Sequence, residues 1–135
     1  MAGRPRWGTP QRRPWTPVGL RQTGVMGADS LITMLVRLVR HGRTAANVGM
    51  LLDTAAPGMP LDEVGLEQAE ALVERLAGVQ VDAVYVSDLP RTHQTAAPLA
   101  SALGIEPVEL GGLREIQAGE DEMSPDWARY VGVLR

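Results

Sequence analysis

Residues 34–47, MLVRLVRHGRTAAN, join a short apolar run to a cluster of polar residues. The apolar part, residues 34–39, predicts a buried β-strand. Arg40, His41 and Gly42 follow it directly. Ligands of open α/β sheets bind outside the carboxyl ends of the strands, where loops bring polar groups together. This stretch therefore predicts a binding site at the end of a strand.

The rest of the chain continues with alternating helices and strands. Two amphipathic helices are predicted, one capped by Asp62 and ending at Gly78, the other running from Pro90 to Gly104. Residues 81–86 predict a strand buried on both faces, and residues 107–110 a third strand. Ser124-Pro125-Asp126 precedes a last helix, with Trp127, Tyr130, Val131 and Leu134 on one face. Because this order implies parallel strands joined by crossover helices, we predict a three-layer α/β sandwich with a mostly parallel sheet.

Composition limits the classes of function. The length of 135 residues is typical of one domain. The net charge is −3, but the charged residues are unevenly distributed along the chain. Residues 1–30 carry five arginines and one aspartate among many Pro and Gly residues, and predict a disordered leader. A basic arm that contacts an acidic partner is the alternative. Residues 31–135 are acidic overall, which argues against nucleic acid as a partner.

Several further classes are disfavoured by residues that the sequence lacks. There is no cysteine, which excludes disulfides, zinc-finger sites and a thiol nucleophile. No apolar run is long enough to span a membrane, and no apolar signal-peptide core is visible. We therefore expect a soluble, cytoplasmic protein without membrane partners; a homo-oligomer is an open alternative.

Three loops at strand ends carry residues that suit phosphoryl transfer. Such a reaction needs a nucleophile, positive charge around the phosphate oxygens and an acid for the leaving oxygen. We predict His41 as the nucleophile and Glu115 as the acid. We predict Arg40 and Arg91 as phosphate ligands, because a guanidinium group binds phosphate in a bidentate manner. For His41 the alternative is an ordinary core or capping role, and for Glu115 a surface acid. We expect Arg43 and Arg114 at the rim or surface, His93 exposed, and Trp127 and Tyr130 in the core.

Four motifs make the chain similar to one known family. They are LVRHGRTAAN at residues 38–47, PLDEVGLEQA at 60–69, VSDLPRTHQTA at 86–96 and LREI at 113–116. Together they resemble the histidine phosphatase superfamily, the phosphoglycerate mutase-like enzymes, over roughly residues 33–135. The resemblance implies that His41 forms a phosphohistidine and that Glu115 donates a proton. It also implies that Arg40, Arg91, Asn47 and Thr44 surround the phosphate, and that neither a metal nor another cofactor is needed.

One departure from the family pattern matters. The family has a second pocket histidine in a His-Gly pair, whereas this sequence contains only His41 and His93. Since Thr92 and Gln94 flank His93, we do not assign that role to it, and we expect residues 31–135 to be the N-terminal part of a longer domain. The predicted function is hydrolysis of a small phosphorylated metabolite. The alternatives are phosphoglycerate mutase-type transfer to a second hydroxyl, and a non-catalytic remnant that only binds phosphate.

Overall fold

The computed structural model describes residues 34–133, and those from Arg37 onward form one compact unit. The elements, in chain order, are α1 (Ala45–Val48), α2 (Glu63–Arg75), β1 (Tyr85–Val86), α3 (Pro90–Leu103), β2 (Val108–Glu109) and α4 (Trp127–Val133). Short 3-10 turns at Gly111–Leu113 and Gly119–Asp121 lie between β2 and α4. The predicted leader and Leu134 lie outside the described residues.

The sheet confirms the predicted α/β class and parallel pairing. Strands β1 and β2 run parallel, with Tyr85 opposite Val108. The amide of Val108 donates to the carbonyl of Val84 at 2.8 Å, and the amide of Leu110 donates to that of Val86 at 2.8 Å. Helix α3 connects the two strands, as expected for a βαβ unit. Both strands are shorter than the sequence predicts.

The predicted first strand is wrong: residues 34–39 have no regular secondary structure. Leu38 is 93% exposed and Val39 54% exposed, and among the described residues no backbone hydrogen bond pairs this stretch with another. An apolar run becomes a strand only beside a neighbour that takes its backbone hydrogen bonds. The prediction that residues 81–86 are buried on both faces is also wrong, because Tyr85 is 57% exposed while Val86 is buried.

Helices α2 and α3 pack against each other and form much of the core. Ala69 of α2 and Ala96, Leu99 and Ala100 of α3 are buried. Two predicted caps are confirmed: a carboxylate oxygen of Asp62 accepts a 2.8 Å hydrogen bond from the amide of Gly65, and Gly104 ends α3 with φ of 66°. The predicted end of α2 at Gly78 is wrong, because the helix ends at Arg75 and is followed by a turn. The amide of Asp62 donates to the carbonyl of Arg43 at 3.0 Å, which places the beginning of α2 beside the polar residues that follow Val39.

Neither a membrane-spanning helix nor a cluster of potential metal ligands occurs within residues 34–133. No helix there is long and apolar enough to cross a bilayer. No group of three or more His, Cys, Asp or Glu side chains in that range could hold a metal ion.

Candidate active site

His41 is held in one tautomer by the backbone of the next residue. Its Nδ1 lies 2.7 Å from the carbonyl oxygen of Gly42. A carbonyl oxygen only accepts, so Nδ1 carries a proton, and in the neutral ring Nε2 is then the nitrogen with the lone pair. The His41 side chain is only 8% exposed, and the carboxylate of Glu115 lies 3.7 Å from Nε2. The free nitrogen is therefore the one that faces the predicted acid.

A close backbone contact positions the loop that carries His41. A Cβ atom at Gly42 would lie 2.5 Å from the carbonyl oxygen of Gly65, in the first turn of α2. The amide of Gly42 donates to the Thr95 hydroxyl at 2.9 Å, and that hydroxyl donates to the carbonyl of Arg91 at 2.7 Å. Glycine at position 42 thus lets the loop contact α2, while Thr95 ties it to α3.

Arg91 is almost fully buried, at 1% exposure, near the beginning of α3. Its Nη2 donates to the carbonyl of Asp53 at 2.9 Å, and its Nη1 lies 3.4 Å from the Asp53 carboxylate. Its buried Nε has no hydrogen-bond partner among the described residues. A buried donor without a partner is costly, so this guanidinium is suited to an anion that completes its hydrogen bonds.

Glu115 lies among positive groups that favour its charged form. The polar contact with the His41 ring, together with the charges of Arg91 and Arg40, holds the pKa of Glu115 below its usual range, although burial acts in the opposite direction. Donation of a proton therefore requires that these cations first be neutralised. A bound phosphate dianion would do so, because its charge favours the protonated carboxyl.

Thr44 and Asn47 form the cap of α1, a helix that the sequence analysis did not predict. The amide of Thr44 donates to the Asn47 side-chain oxygen at 3.0 Å, and the amide of Asn47 donates to the Thr44 hydroxyl at 3.2 Å. The side-chain nitrogen of Asn47 has no hydrogen bond to the described residues, so it can donate to a ligand. Thr44 is 1% exposed and caps the helix.

Two clefts meet at the predicted site and share Arg40, His41, Arg91 and Glu115. The first, which we call the aromatic cleft, has a volume of about 400 Å³ including its open mouth. Its other lining residues are Thr44, Asn47, Leu51, Leu52, Asp53, Thr54, Trp127 and Tyr130. The second, the strand-end cleft, is lined by Val39, Ser87, Leu89, Thr92 and Leu113. All six predicted site residues thus line the aromatic cleft, and their roles stay predictions.

Six residues of the aromatic cleft were not among the predicted site residues. Four of them, Leu51, Leu52, Asp53 and Thr54, lie in a loop without periodicity, where no pattern marks them. Trp127 and Tyr130 were expected in the core, but Trp127 is 43% exposed and both line the cleft. The periodic apolar face of α4 was the available signal, since the same pattern fits a pocket wall as well as a core.

The walls of the aromatic cleft are tied together by Glu122. One carboxylate oxygen accepts from the amides of Thr54 and Ala55 at 2.7 and 2.9 Å, and the other accepts from the Thr54 hydroxyl at 2.6 Å. Burial raises the pKa of Glu122, but these hydrogen bonds outweigh it and hold the pKa below its usual value. The same loop carries Asp53, which contacts Arg91.

The remaining candidate residues lie outside both clefts. His93 is 44% exposed and contacts Glu109 at 3.0 Å, so the structure does not place it at the site. Arg43 pairs with Asp62 at 2.7 Å, and Arg114 pairs with Asp88. These positions agree with the expectation that Arg43 and Arg114 lie at the rim or surface and that His93 is exposed.

Comparison with protein families and sequences gives one consistent result. The model of the histidine phosphatase superfamily (branch 1) matches residues 36–129. A PE-PGRS family protein of Mycobacterium tuberculosis is 47% identical over 104 residues, which cover 73% of this chain and 18% of that protein. A probable phosphoglycerate mutase of Yersinia pestis is 37% identical over 90 residues, 67% of this chain and 41% of its own length. The chain spans less than half the length of these curated relatives.

Solved structures agree with the sequence comparisons. A mycobacterial glucosyl-3-phosphoglycerate phosphatase superposes with a TM-score of 0.61 at 29% identity, over 67% of this chain and 49% of that one. A putative alpha-ribazole-5'-P phosphatase of Escherichia coli gives 0.60 at 34% identity, over 71% and 49%. The chain therefore corresponds to about half of each of these structures.

Proposed function

Because the chain belongs to branch 1 of the histidine phosphatase superfamily, we propose that it carries the nucleophilic half of a site that hydrolyses small phosphomonoesters through a phosphohistidine on His41. The similar solved structures include a glucosyl-3-phosphoglycerate phosphatase and a putative alpha-ribazole-5'-P phosphatase, which favours hydrolysis over transfer. The observation that carries the proposal is the position of His41 Nε2, unprotonated in its tautomer and facing Glu115 across a cleft that Arg40 and Arg91 also line.

The proposed first step transfers the phosphoryl group to the protein. The lone pair of His41 Nε2 forms a bond to phosphorus, the ester P–O bond breaks, and Glu115 gives its proton to the leaving oxygen. Arg40 and Arg91 hold the phosphate oxygens, and the side-chain nitrogen of Asn47 donates to one of them. The imidazole keeps its Nδ1 proton on the carbonyl of Gly42.

In the second step, water replaces the histidine. Its oxygen forms a bond to phosphorus as the P–Nε2 bond breaks, and the proton that water loses goes to the carboxylate of Glu115. Inorganic phosphate leaves, and the site returns to its starting protonation state.

Replacement of each of the two histidines tests the proposal. The full chain is incubated with p-nitrophenyl phosphate, and covalent labelling by a phosphorus-32 ester is measured after rapid acid-free denaturation. We expect His41→Ala to lower kcat/KM by about 10³-fold or more and to abolish the labelling. His93→Ala, which lies outside both clefts, should retain both.

Three outcomes would contradict the proposal. Equal rates for the wild type and His41→Ala would exclude His41 as the nucleophile. Phosphate binding without labelling or turnover would favour the non-catalytic alternative. Labelling followed by faster transfer to an added phosphoglycerate than to water would favour the mutase alternative, which the similarity to a probable phosphoglycerate mutase supports.

A further inference from the structure

We propose that the aromatic cleft binds a flat, aromatic leaving group of the phosphomonoester, with Trp127 as the stacking surface. This inference rests on the proposed function, since it states where the organic group of the phosphomonoester binds in the same site. The phosphate would lie on the residues that both clefts share, and the organic group would extend between Leu51, Leu52, Trp127 and Tyr130.

Hydrogen bonds fix the aromatic wall and leave its carbon surfaces free for contact. The indole Nε1 of Trp127 donates to the carbonyl of Met50 at 2.7 Å. The Tyr130 hydroxyl donates to the carbonyl of Ile116 at 2.8 Å. Each ring thus satisfies its polar atom on the main chain and contributes an apolar surface to the cleft.

Trp127 remains accessible although it lines the cleft. It is 43% exposed, so much of the indole is not covered by the core. Small-molecule sites join apolar surface to polar groups that set orientation. Eight of the twelve lining residues here are polar or charged, and the remaining four, Leu51, Leu52, Trp127 and Tyr130, supply the apolar surface.

The strand-end cleft offers a different surface. Its described lining combines aliphatic side chains with the hydroxyls of Ser87 and Thr92, which lie 3.1 Å apart and contact each other. Thr92 also donates to the carbonyl of Ser87 at 2.9 Å. An aromatic group would therefore gain ring-to-ring contact in the aromatic cleft and aliphatic contact in the strand-end cleft, which makes the former the better acceptor.

Benzyl phosphate and ethyl phosphate test this inference, because both release an alcohol and differ chiefly in the aromatic ring. We expect the full chain to prefer benzyl phosphate in kcat/KM. Trp127→Ala should lower the benzyl-to-ethyl ratio by about threefold to tenfold, the range expected for one aromatic contact. Trp127→Phe should recover most of the ratio, since it retains a ring at the same position.

A matched control lies in the other cleft. Leu113→Ala truncates a side chain of the strand-end cleft and should leave the ratio unchanged. An unchanged ratio in Trp127→Ala, or loss of the ratio in Leu113→Ala, would overturn the assignment. Folding of each variant is checked by far-ultraviolet circular dichroism, and Trp127→Leu, which removes the ring but keeps an apolar side chain, replaces Trp127→Ala if that variant does not fold.

Binding measurements separate a failure of this inference from a failure of the proposed function. If the chain turns over neither ester, the hydrolytic proposal fails, and calorimetry with benzylphosphonate and ethylphosphonate then tests the cleft alone. Tighter binding of benzylphosphonate, reduced about threefold to tenfold in Trp127→Ala, would support the aromatic cleft as the site of the organic group. Equal affinity for the two phosphonates would overturn it.

Discussion

Replacement of Glu122 by alanine removes the carboxylate that joins two loops of the site. In the native structure it accepts hydrogen bonds from the amides of Thr54 and Ala55 and from the Thr54 hydroxyl, at 2.6 to 2.9 Å. The same Thr54 hydroxyl accepts from the amide of Ala118 at 2.7 Å. Loss of Glu122 therefore leaves three donors without their partner and loosens the link between the two loops.

The expected loss of stability follows from these contacts. A hydrogen bond to a charged group contributes about 1.5–3 kcal/mol, and three such bonds to one carboxylate are not additive. Because the Glu122 carboxylate is only partly buried, water can replace part of the lost interaction. We therefore expect Glu122→Ala to lower the free energy of unfolding by about 2–4 kcal/mol.

The pH dependence provides a second readout. The hydrogen bonds hold the folded-state pKa of Glu122 below its ordinary value. Its contribution to stability is thus fully present above the unfolded-state pKa of about 4.3 and is lost as the pH falls through the lower folded-state pKa. Glu122→Gln should remove this part of the acid dependence, because an amide does not titrate in this range.

Urea unfolding followed by far-ultraviolet circular dichroism, repeated between pH 7 and pH 3, measures both effects. Glu70→Ala, on the exposed face of α2, is the matched control and should change stability by less than about 0.5 kcal/mol. Equal stability of Glu122→Ala and Glu70→Ala at neutral pH would refute the reasoning, as would an unchanged acid dependence in Glu122→Gln.

Two further substitutions test other parts of the site. Gly42→Ala should lower the free energy of unfolding by about 1–3 kcal/mol in the same urea assay, because the new methyl group would lie 2.5 Å from the Gly65 carbonyl oxygen. In the control variant Gly111→Ala the methyl group meets nothing within 4 Å, so the loss of stability should be far smaller. Glu115→Gln should slow hydrolysis of benzyl phosphate by about 10²-fold or more and that of p-nitrophenyl phosphate much less, since nitrophenolate leaves without a proton; equal slowing of both esters would argue against Glu115 as the acid.

The sequence predicted the residues of the site better than it predicted the sheet. His41, Arg91 and Glu115 stand in short motifs whose order along the chain brings them to one cleft, where the structure places them. The helix boundaries at Asp62, Pro90 and Gly104 were also predictable, because caps and proline act within one turn.

The errors concern features that depend on distant neighbours. Whether residues 34–39 form a strand depends on a partner that a local pattern does not show, and the described residues leave Leu38 exposed. The roles of Asp53 and Glu122 depend on contacts with Arg91 and Thr54, which are far away in sequence. Trp127 lies on the apolar face of a helix, a pattern that suits a core, yet it lines a cleft. Periodicity indicates which face of a helix is covered, but it does not indicate whether protein or a ligand covers that face.

The hydrogen bond between His41 and the carbonyl of Gly42 has a consequence for evolution. In many histidine sites a separate side chain fixes the tautomer, and one mutation can remove it. Here the acceptor is a main-chain oxygen, which every amino acid at position 42 would provide. The path of the backbone therefore determines which ring nitrogen of His41 is free to react. Sequences that diverge around this loop can keep a competent nucleophile as long as that path, and the glycine at position 42 that permits it, are retained.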